Sequence, residues 1–141
     1  MELLARIPKD RIAVLIGKAG RTRKMLEKAS GASLEIDSAT GDVSAIWEEE
    51  EIDPILKMKM PDVIRAIGRG LAPNRAVRLL HDEVFLRMYD IREWVGRQPN
   101  QTRRMRSRLI GRNGRIRSLI EEMSQTAVSY THLTLPTICS V

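Results

Sequence analysis

The chain has 141 residues, of which 43% are hydrophobic and 30% charged, and its formal net charge is +6. This length suits one average domain or two small ones, and the single cysteine, Cys139, excludes a disulfide framework. Aromatic residues make up only 4% of the sequence, which argues against binding sites built on aromatic platforms. No apolar run reaches membrane-spanning length, and residues 1–7 lack the order of a signal peptide, so we expect a cytoplasmic protein with no membrane partner.

The first half of the chain alternates between strand and helix patterns. The predicted elements are a strand over 2–7, helices over 11–16 and 21–30, strands over 32–36 and 43–47, and a helix from Pro54 to Leu71. Asp10 is the predicted N-cap of the first helix, and Gly31 is placed to end the second in the left-handed conformation. Pro61 interrupts the last helix, which therefore either begins afresh or kinks there.

The second half repeats part of this order. We predict a short connecting helix over 74–81, a strand over 84–91, a Pro-containing loop over 97–101, and helices over 102–110 and 115–124. The packed faces predicted for the second helix of each half are Met25, Leu26 and Ala29, and Ile116, Leu119, Ile120 and Met123. Gln125 stands where the first half has Gly31, which is a costlier choice for a left-handed cap. Trp94 is expected to be buried against the strand before it, with stacking on a nucleic-acid base as the alternative.

The organising feature is a repeated segment. Residues 15–30, LIGKAGRTRKMLEKAS, return 94 positions later as LIGRNGRIRSLIEEMS, and eight of the sixteen positions are identical. In both copies an apolar helical turn ends at a glycine, a Gly-x-x-Gly loop follows, and a basic helix begins at once. One such glycine pair is a weak signal, but two copies in the same surroundings are a strong one.

The chemistry of the repeat favours a phosphate ligand. Glycines without a Cβ allow a tight turn and a close approach of the backbone, and the new helix points free N–H groups and its positive dipole end at whatever lies over the loop. This is the GxxG loop typical of a KH domain, which clamps single-stranded nucleic acid by its backbone. The candidate RNA-binding residues are Gly17, Lys18, Ala19, Gly20, Arg21 and Arg23, and Gly111, Arg112, Asn113, Gly114, Arg115 and Arg117.

The charge is segregated toward these loops. Residues 97–117 hold eight arginines and no acid, and residues 9–24 hold six basic residues against Asp10. The stretch between Lys28 and Lys57 has eight acids and no base. Basic charge beside both loops is the pattern expected of a nucleic-acid surface, although an ordinary solvated helix face is the alternative.

Catalytic chemistry has little support. His81 and His132 are isolated, and no spacing of metal ligands or nucleophiles is present, so we expect no enzyme activity, cofactor or metal. The acidic run at residues 48–51 could bind a cation, but a solvated loop after a strand is the favoured interpretation.

The second repeat lacks the length of the first. Gly20 lies 51 residues before Leu71, whereas only 27 residues follow Gly114, so the second unit is expected to lack its returning strand and closing helix. Residues 129–141 contain no Lys, Arg, Asp or Glu. They resemble a translated sequencing-adapter read-through, and we expect that the natural chain has been cut near Val128. We predict that this tail packs poorly or serves as an improvised strand.

The order of elements resembles tandem type I KH domains, an α+β fold in which a three-stranded sheet packs against helices, with the second domain incomplete. The whole chain resembles archaeal KH-domain rRNA-processing proteins, which are relatives of the eukaryotic factor called partner of Nob. The two loops carry this resemblance, together with residues 66–70, Pro73, Leu79-Leu80 and residues 90–93. It predicts a first KH domain over 1–72, a helical connector over 73–83, a partial second KH domain over 84–128 and a non-native tail over 129–141.

The resemblance also implies a function in ribosome assembly. It implies binding of single-stranded RNA near the 3′ end of small-subunit rRNA, and partnership with an endonuclease and with translation-initiation or assembly factors. Three alternatives stay open: a KH protein that binds single-stranded DNA, a subunit of an RNA-degradation complex, and a protein scaffold with vestigial loops. RNA is preferred over DNA only through the resemblance, because contacts to the 2′-hydroxyl are what distinguish the two.

Overall fold

The computed structural model describes residues 1–48, 52–96 and 98–129, together with the backbone of residues 135–140. Two compact units divide the chain, Met1–Asp82 and Glu83–Val141. Each contains a three-stranded sheet and its own copy of the repeated segment. The predicted α+β class is therefore confirmed.

The first unit is built on an antiparallel sheet with the strand order β1-β3-β2. Its elements are β1 (Glu2–Arg6), α1 (Lys9–Ile16), α2 (Arg21–Ser30), β2 (Ala32–Ile36), β3 (Asp42–Trp47), α3 (Pro54–Gly68) and α4 (Pro73–Ala76). Leu4, Leu34 and Val43 alternate with exposed or half-buried neighbours and lie in the core. This period of two buries one face of the sheet under the helices.

For the helices, one local prediction is wrong and one of two open alternatives is excluded. Asp10 does not cap α1, because the helix begins at Lys9 after an extended Pro8. Asp10 lies in the first turn instead, where its charge complements the positive end of the helix. The helix α3 does not begin afresh at Pro61 but runs through it as one element, with Asp53 as its N-cap accepting from the amide of Ile55 at 2.9 Å.

Residues 73–82 pack against α3 within the first unit. They form α4 and a 3-10 turn, Val77–Leu80, whose side chains Ala76 and Leu79 are buried. The ammonium of Lys59 on α3 donates to the carbonyl oxygens of His81 at 2.5 Å and Asp82 at 3.0 Å. The segment expected as a connector is thus held on the first unit up to the boundary at Asp82.

The second unit begins with β4 (Val84–Tyr89) and continues through α5 (Arg92–Val95), α6 (Pro99–Ile110), α7 (Arg115–Ser124) and β5 (Thr126–Val128). The expected loop over 97–101 is corrected, because α6 begins at Pro99; Arg97 lies outside the described residues. Proline suits this first helical position because its fixed φ is already helical and it has no N–H to leave unpaired. The one-turn helix α5 was not predicted.

A third strand, β6 (Leu135–Ser140), lies between β4 and β5 and pairs antiparallel with both. The order β4-β6-β5 matches β1-β3-β2 of the first unit. The expectation that the second unit lacks a returning strand is therefore wrong, because the tail supplies this strand. Of the two outcomes predicted for the tail, poor packing or an improvised strand, the structure shows the strand. No helix follows β6 within the described residues.

The outer helix of the second unit is less buried than its counterpart. In α2, Leu26 and Ser30 are buried, whereas Met25 and Ala29 of the predicted face are exposed. In α7 none of the four predicted packing residues is buried, and Ile116, Leu119 and Met123 are counted among the exposed side chains. The predicted packed face of α7 is therefore wrong for this structure, because no equivalent of α3 is present among the described residues to complete the core.

Candidate nucleic-acid interface

The two GxxG loops have the same backbone conformation. The φ/ψ angles are 75°/175° at Gly17, 55°/27° at Ala19 and 73°/16° at Gly20. The corresponding angles are 74°/179° at Gly111, 54°/28° at Asn113 and 71°/19° at Gly114. No pair differs by more than 4°, although the two residues between the glycines differ in sequence. The same loop conformation thus occurs twice in the chain.

The two glycines of each loop have different roles. A Cβ on Gly17 would lie 2.8 Å from the backbone nitrogen of Thr22, and one on Gly111 would lie 2.9 Å from that of Ile116. These first glycines are required because the loop folds tightly over the next helix. A Cβ on Gly20 or Gly114 would meet nothing within 4 Å. The second glycines therefore border open space, where a ligand backbone can approach.

The helices that follow the loops begin without a side-chain cap. Gly20 and Gly114 occupy the N-cap positions of α2 and α7 in the left-handed conformation, and neither helix has a side-chain hydrogen bond at its cap. The first N–H of each helix, that of Arg21 or Arg115, donates to the loop carbonyl of Lys18 or Arg112. No side chain caps either helix end, and the helix dipole there favours a negatively charged ligand.

The six predicted cations surround these helix ends, and all six are exposed: Lys18, Arg21, Arg23, Arg112, Arg115 and Arg117. Arg23 is partly engaged, since its Nε donates to Glu27 at 3.0 Å one helical turn away. Such an exposed pair contributes only about 0.3–0.5 kcal/mol, which a phosphate can outcompete. The structure places all twelve predicted residues in two clusters, one in each unit.

A cleft of about 530 Å³ in the first unit lies beside Arg23 but does not suit a phosphate. Three carboxylates line it, those of Glu35, Asp37 and Asp42. Asp42 accepts from Arg6 at 2.7 Å, and this hydrogen bond lowers the pKa of its carboxyl, so the group stays ionised. The cleft is thus acidic, and we do not assign it to nucleic-acid binding.

Trp94 corrects a prediction from the sequence. Its side chain on α5 is 76% exposed, so the expected burial against β4 is wrong. The short helix that carries it is anchored by Asp90, which accepts from the backbone and the guanidinium of Arg92, the latter at 2.7 Å. An exposed indole on an anchored turn leaves base stacking as the remaining interpretation.

The described residues give no sign of a metal site or of a membrane-spanning helix. They contain no group of three or more potential metal ligands, and none of their helices is long and apolar enough to cross a bilayer. Glu48 accepts from the hydroxyl of Ser33 at 3.2 Å; the rest of the acidic run, residues 49–51, lies outside the described residues. His132 is also outside them, and of Cys139 only the backbone is described.

A sheet of this topology, with a GxxG loop between two helices, defines the class of KH-domain proteins, and this chain contains the arrangement twice. Comparison with family models agrees. Residues 3–52 match the model described as a KH domain, and residues 85–138 match the model described as a eukaryotic-type, type I KH domain.

Similar proteins come from archaea. A KH domain-containing protein of Methanocaldococcus jannaschii is 41% identical over 126 residues, which cover 89% of this chain and 55% of that protein. The crystal structure of Dim2p from Pyrococcus horikoshii is 43% identical with a TM-score of 0.86, covering 96% of this chain and 79% of the other. A Dim2p chain in a complex with a/eIF2alpha and rRNA from the same organism is also 43% identical, with a TM-score of 0.87 and coverages of 96% and 74%.

This chain belongs to the Dim2p family of KH-domain proteins, whose matched members are archaeal, and the family expected from the two loops is confirmed. It spans 55% of the length of the curated relative that it matches.

Proposed function

We propose that this chain binds single-stranded RNA through its two GxxG loops. The observation that carries this proposal is the identical backbone of the loops, each with open space beside its second glycine and an uncapped basic helix behind it. The helix dipole and the exposed cations both favour one phosphate at each loop. A KH groove accommodates about four nucleotides of a splayed strand, which a duplex cannot present.

We further propose that the bound RNA is small-subunit rRNA near its 3′ end and that the role is in rRNA maturation and ribosome assembly in the cytoplasm. The related Dim2p solved with rRNA and a/eIF2alpha supports this choice. Partners would then include an endonuclease and initiation or assembly factors, and the chain itself would not be catalytic. Binding of single-stranded DNA, membership of an RNA-degradation complex and a scaffold with vestigial loops are the competing functions.

The test reverses the charge of each loop. Replacing Lys18 and Ala19 by Asp places two carboxylates roughly 5 Å from the phosphate, where each repulsion is about 1 kcal/mol in water and about 3 kcal/mol at an effective dielectric near 20. We expect binding of single-stranded RNA at that unit to weaken by at least about tenfold. The same is expected for Arg112 and Asn113 at the second loop. Affinity is measured by fluorescence anisotropy with RNA and DNA strands of the same sequence and with an RNA duplex.

The chain offers a matched control. Lys28 and Ala29 form the same dipeptide as Lys18 and Ala19, and both are exposed at the far end of α2. Replacing them by Asp changes the net charge equally but leaves the loop intact, so binding should stay within twofold of the parent. If the variant with all four loop residues replaced stays folded by circular dichroism and still binds RNA like the parent, the loops are not the binding site. Equal competition by duplex would show that only the basic surface binds.

A further inference from the structure

Two arginines of α6 form a line that leads to the second loop. Arg104 and Arg108 are both exposed and lie four residues apart, so they project from the same side of the helix about 6 Å from one another along its axis. Gly111 and Arg112 follow directly as the start of the loop. We call Arg104 and Arg108 the arginine stripe.

The first unit has no such stripe. The repeat offset of 94 residues places Asp10 opposite Arg104 and Val14 opposite Arg108. Asp10 is an exposed acid in the first turn of α1, and Val14 is half-buried. The two loops share their backbone geometry, but only in the second unit do two exposed arginines lie one turn apart on the helix that leads to the loop.

The stripe arginines are available to a ligand. Neither has an ion pair or a side-chain hydrogen bond with any residue that the structure describes, and the sequence contains no acid from 97 to 117. Like charges four residues apart on a helix repel each other and weaken it. A row of unneutralised guanidinium groups is therefore a feature that a bound polyanion would stabilise.

The favoured polyanion is the RNA strand already placed at the loop. Guanidinium groups bind phosphate through paired N–H donors, and the stripe continues directly from the phosphate site. The helix between Arg104 and Gly111 is about 10 Å long, which corresponds to about three nucleotides at the 3.4 Å spacing of a stacked strand. An acidic protein surface would complement the positive charge of the stripe, but it would not explain why the stripe leads directly to the phosphate site at the loop.

We propose that the arginine stripe extends the RNA site of the second unit, so that this unit binds about seven nucleotides where the first binds about four. This inference rests on the proposed function. It predicts a difference between the two units in footprint and in salt dependence, although their loops are superimposable in backbone conformation.

The test uses the full chain with the first loop disabled by Lys18→Asp and Ala19→Asp, so that binding reports on the second unit. Oligouridylates of four, seven and ten nucleotides are titrated against this parent and against the same chain carrying Arg104→Gln and Arg108→Gln. The control carries Lys24→Gln and Lys28→Gln, another exposed pair four residues apart on a helix, which removes the same charge from the first unit. A variant with Arg104→Lys and Arg108→Lys keeps the positive charge at both positions. If it binds RNA and the glutamine pair does not, the loss comes from the missing charge and not from misfolding caused by substitution at these positions.

In the parent we expect affinity to rise from four to seven nucleotides and then to level off. The glutamine pair should bind the four-nucleotide strand within twofold of the parent. It should bind the ten-nucleotide strand about 25-fold more weakly at 0.1 M salt, because each lost phosphate contact removes about 0.7 from the logarithmic salt slope. The lysine pair and the control pair should retain that slope.

The proposal is overturned if the glutamine pair binds the ten-nucleotide strand like the parent, which would leave an acidic protein as the occupant of the stripe. An equal loss on the four- and ten-nucleotide strands also overturns it, because the arginines would then belong to the loop site itself. If the parent does not bind four nucleotides, or if binding survives Arg112→Asp with Asn113→Asp, the proposed function fails and not the extension alone.

Discussion

The central residue of each loop adopts a left-handed conformation, but the two loops use different residues for it. Asn113 suits this conformation because its side chain can hydrogen-bond locally, whereas Ala19 has a Cβ close to the following carbonyl and no compensation. The first loop therefore holds about 1 kcal/mol of backbone strain. The strained conformation is the one that leaves the space beside Gly20 open.

The variant Ala19→Asn should stabilise the first unit by about 0.5–1 kcal/mol, because asparagine tolerates the left-handed region better than alanine. Thermal unfolding followed by circular dichroism should show a higher midpoint, and RNA binding should not weaken. The reverse change, Asn113→Ala, should lower the stability of the second unit by a similar amount. A lower midpoint for Ala19→Asn would mean that the asparagine side chain meets a contact that the alanine avoids.

Trp94 permits a second test at the level of one side chain. Trp94→Ala should weaken binding of a ten-nucleotide single strand by about 1–3 kcal/mol, since that is the usual contribution of one stacked base, whereas Trp94→Phe should keep most of the affinity. Stability should change little because the side chain is 76% exposed. Met58→Ala removes an apolar side chain that is 70% exposed in the first unit and serves as the control. Unchanged RNA affinity in Trp94→Ala would exclude the stacking interpretation.

At the scale of elements, Arg11 links two helices of the first unit. Its Nε donates to the carbonyl of Ile67 at 2.9 Å, and its terminal nitrogen donates to that of Leu71 at 3.1 Å. Ile67 lies in the last turn of α3, where the helix dipole is negative, and Leu71 lies three residues beyond the end of that helix. The arginine therefore holds the end of α3 against α1. The repeat places Met105 at the corresponding position of α6.

Replacing Arg11 by the methionine of the other repeat should destabilise the first unit by about 1.5–3 kcal/mol, the usual contribution of hydrogen bonds to a charged group. Urea unfolding should show a lower midpoint, and Arg11→Lys should fall between the parent and Arg11→Met because one donor group remains. Met105→Arg should not stabilise the second unit, since no equivalent of α3 is described there. A loss below about 0.5 kcal/mol in Arg11→Met would show that water replaces these bonds without cost.

At the scale of the whole molecule, the two units differ in how completely they are packed. Among the side chains that the structure describes, the largest fully buried ones belong to the first unit, and they include Leu15, Leu26, Leu34, Met60 and Ile64. In the second unit Phe85, Leu119 and Met123 are among the exposed apolar residues. At about 25 cal/mol per Å², a few hundred Å² of apolar surface left in water forfeits several kcal/mol, which is comparable to the stability of a small domain.

Limited proteolysis should therefore cleave the second unit first and spare residues 1–82. Mass spectrometry of the early fragments identifies the sites, and the expected stable product begins at Met1 and ends near the boundary at Asp82. Cleavage between Lys59 and His81 would contradict the packing of that segment on α3. Equal protection of both units would show that the second is as stable as the first.

A chain that ends at Val128 should test the role of β6. This strand lies between β4 and β5, so its removal leaves both without a partner. We expect the second unit to unfold, seen as loss of its dispersed amide signals by NMR, while RNA binding at the first loop is retained. Retention of the second unit's signals would mean that the tail is dispensable, as expected of an adapter-derived segment.

The sequence by itself determined the features that depend on local interactions. The two loops, the basic helices behind them and the strands over 32–36 and 43–47 follow from glycine spacing, charge and side-chain periodicity. Gly31 and Gln125 both end their helices in the left-handed conformation, as their equivalent places in the repeat indicated. The family also followed from the sequence, because its signal lies in these same local segments.

Only the tertiary structure decided which apolar side chains are covered. A helical periodicity marks Leu26 and Leu119 alike as packing residues, but one is fully buried and the other is 47% exposed. The difference arises because burial depends on what packs against the face. The first unit has α3, and the described part of the second unit has no equivalent helix. For the same reason the sequence left three other features undetermined: the exposure of Trp94, the pairing of Arg11 with the end of α3, and the placement of β6 between two strands. Each depends on which residues distant in sequence lie nearby, and local patterns do not specify them.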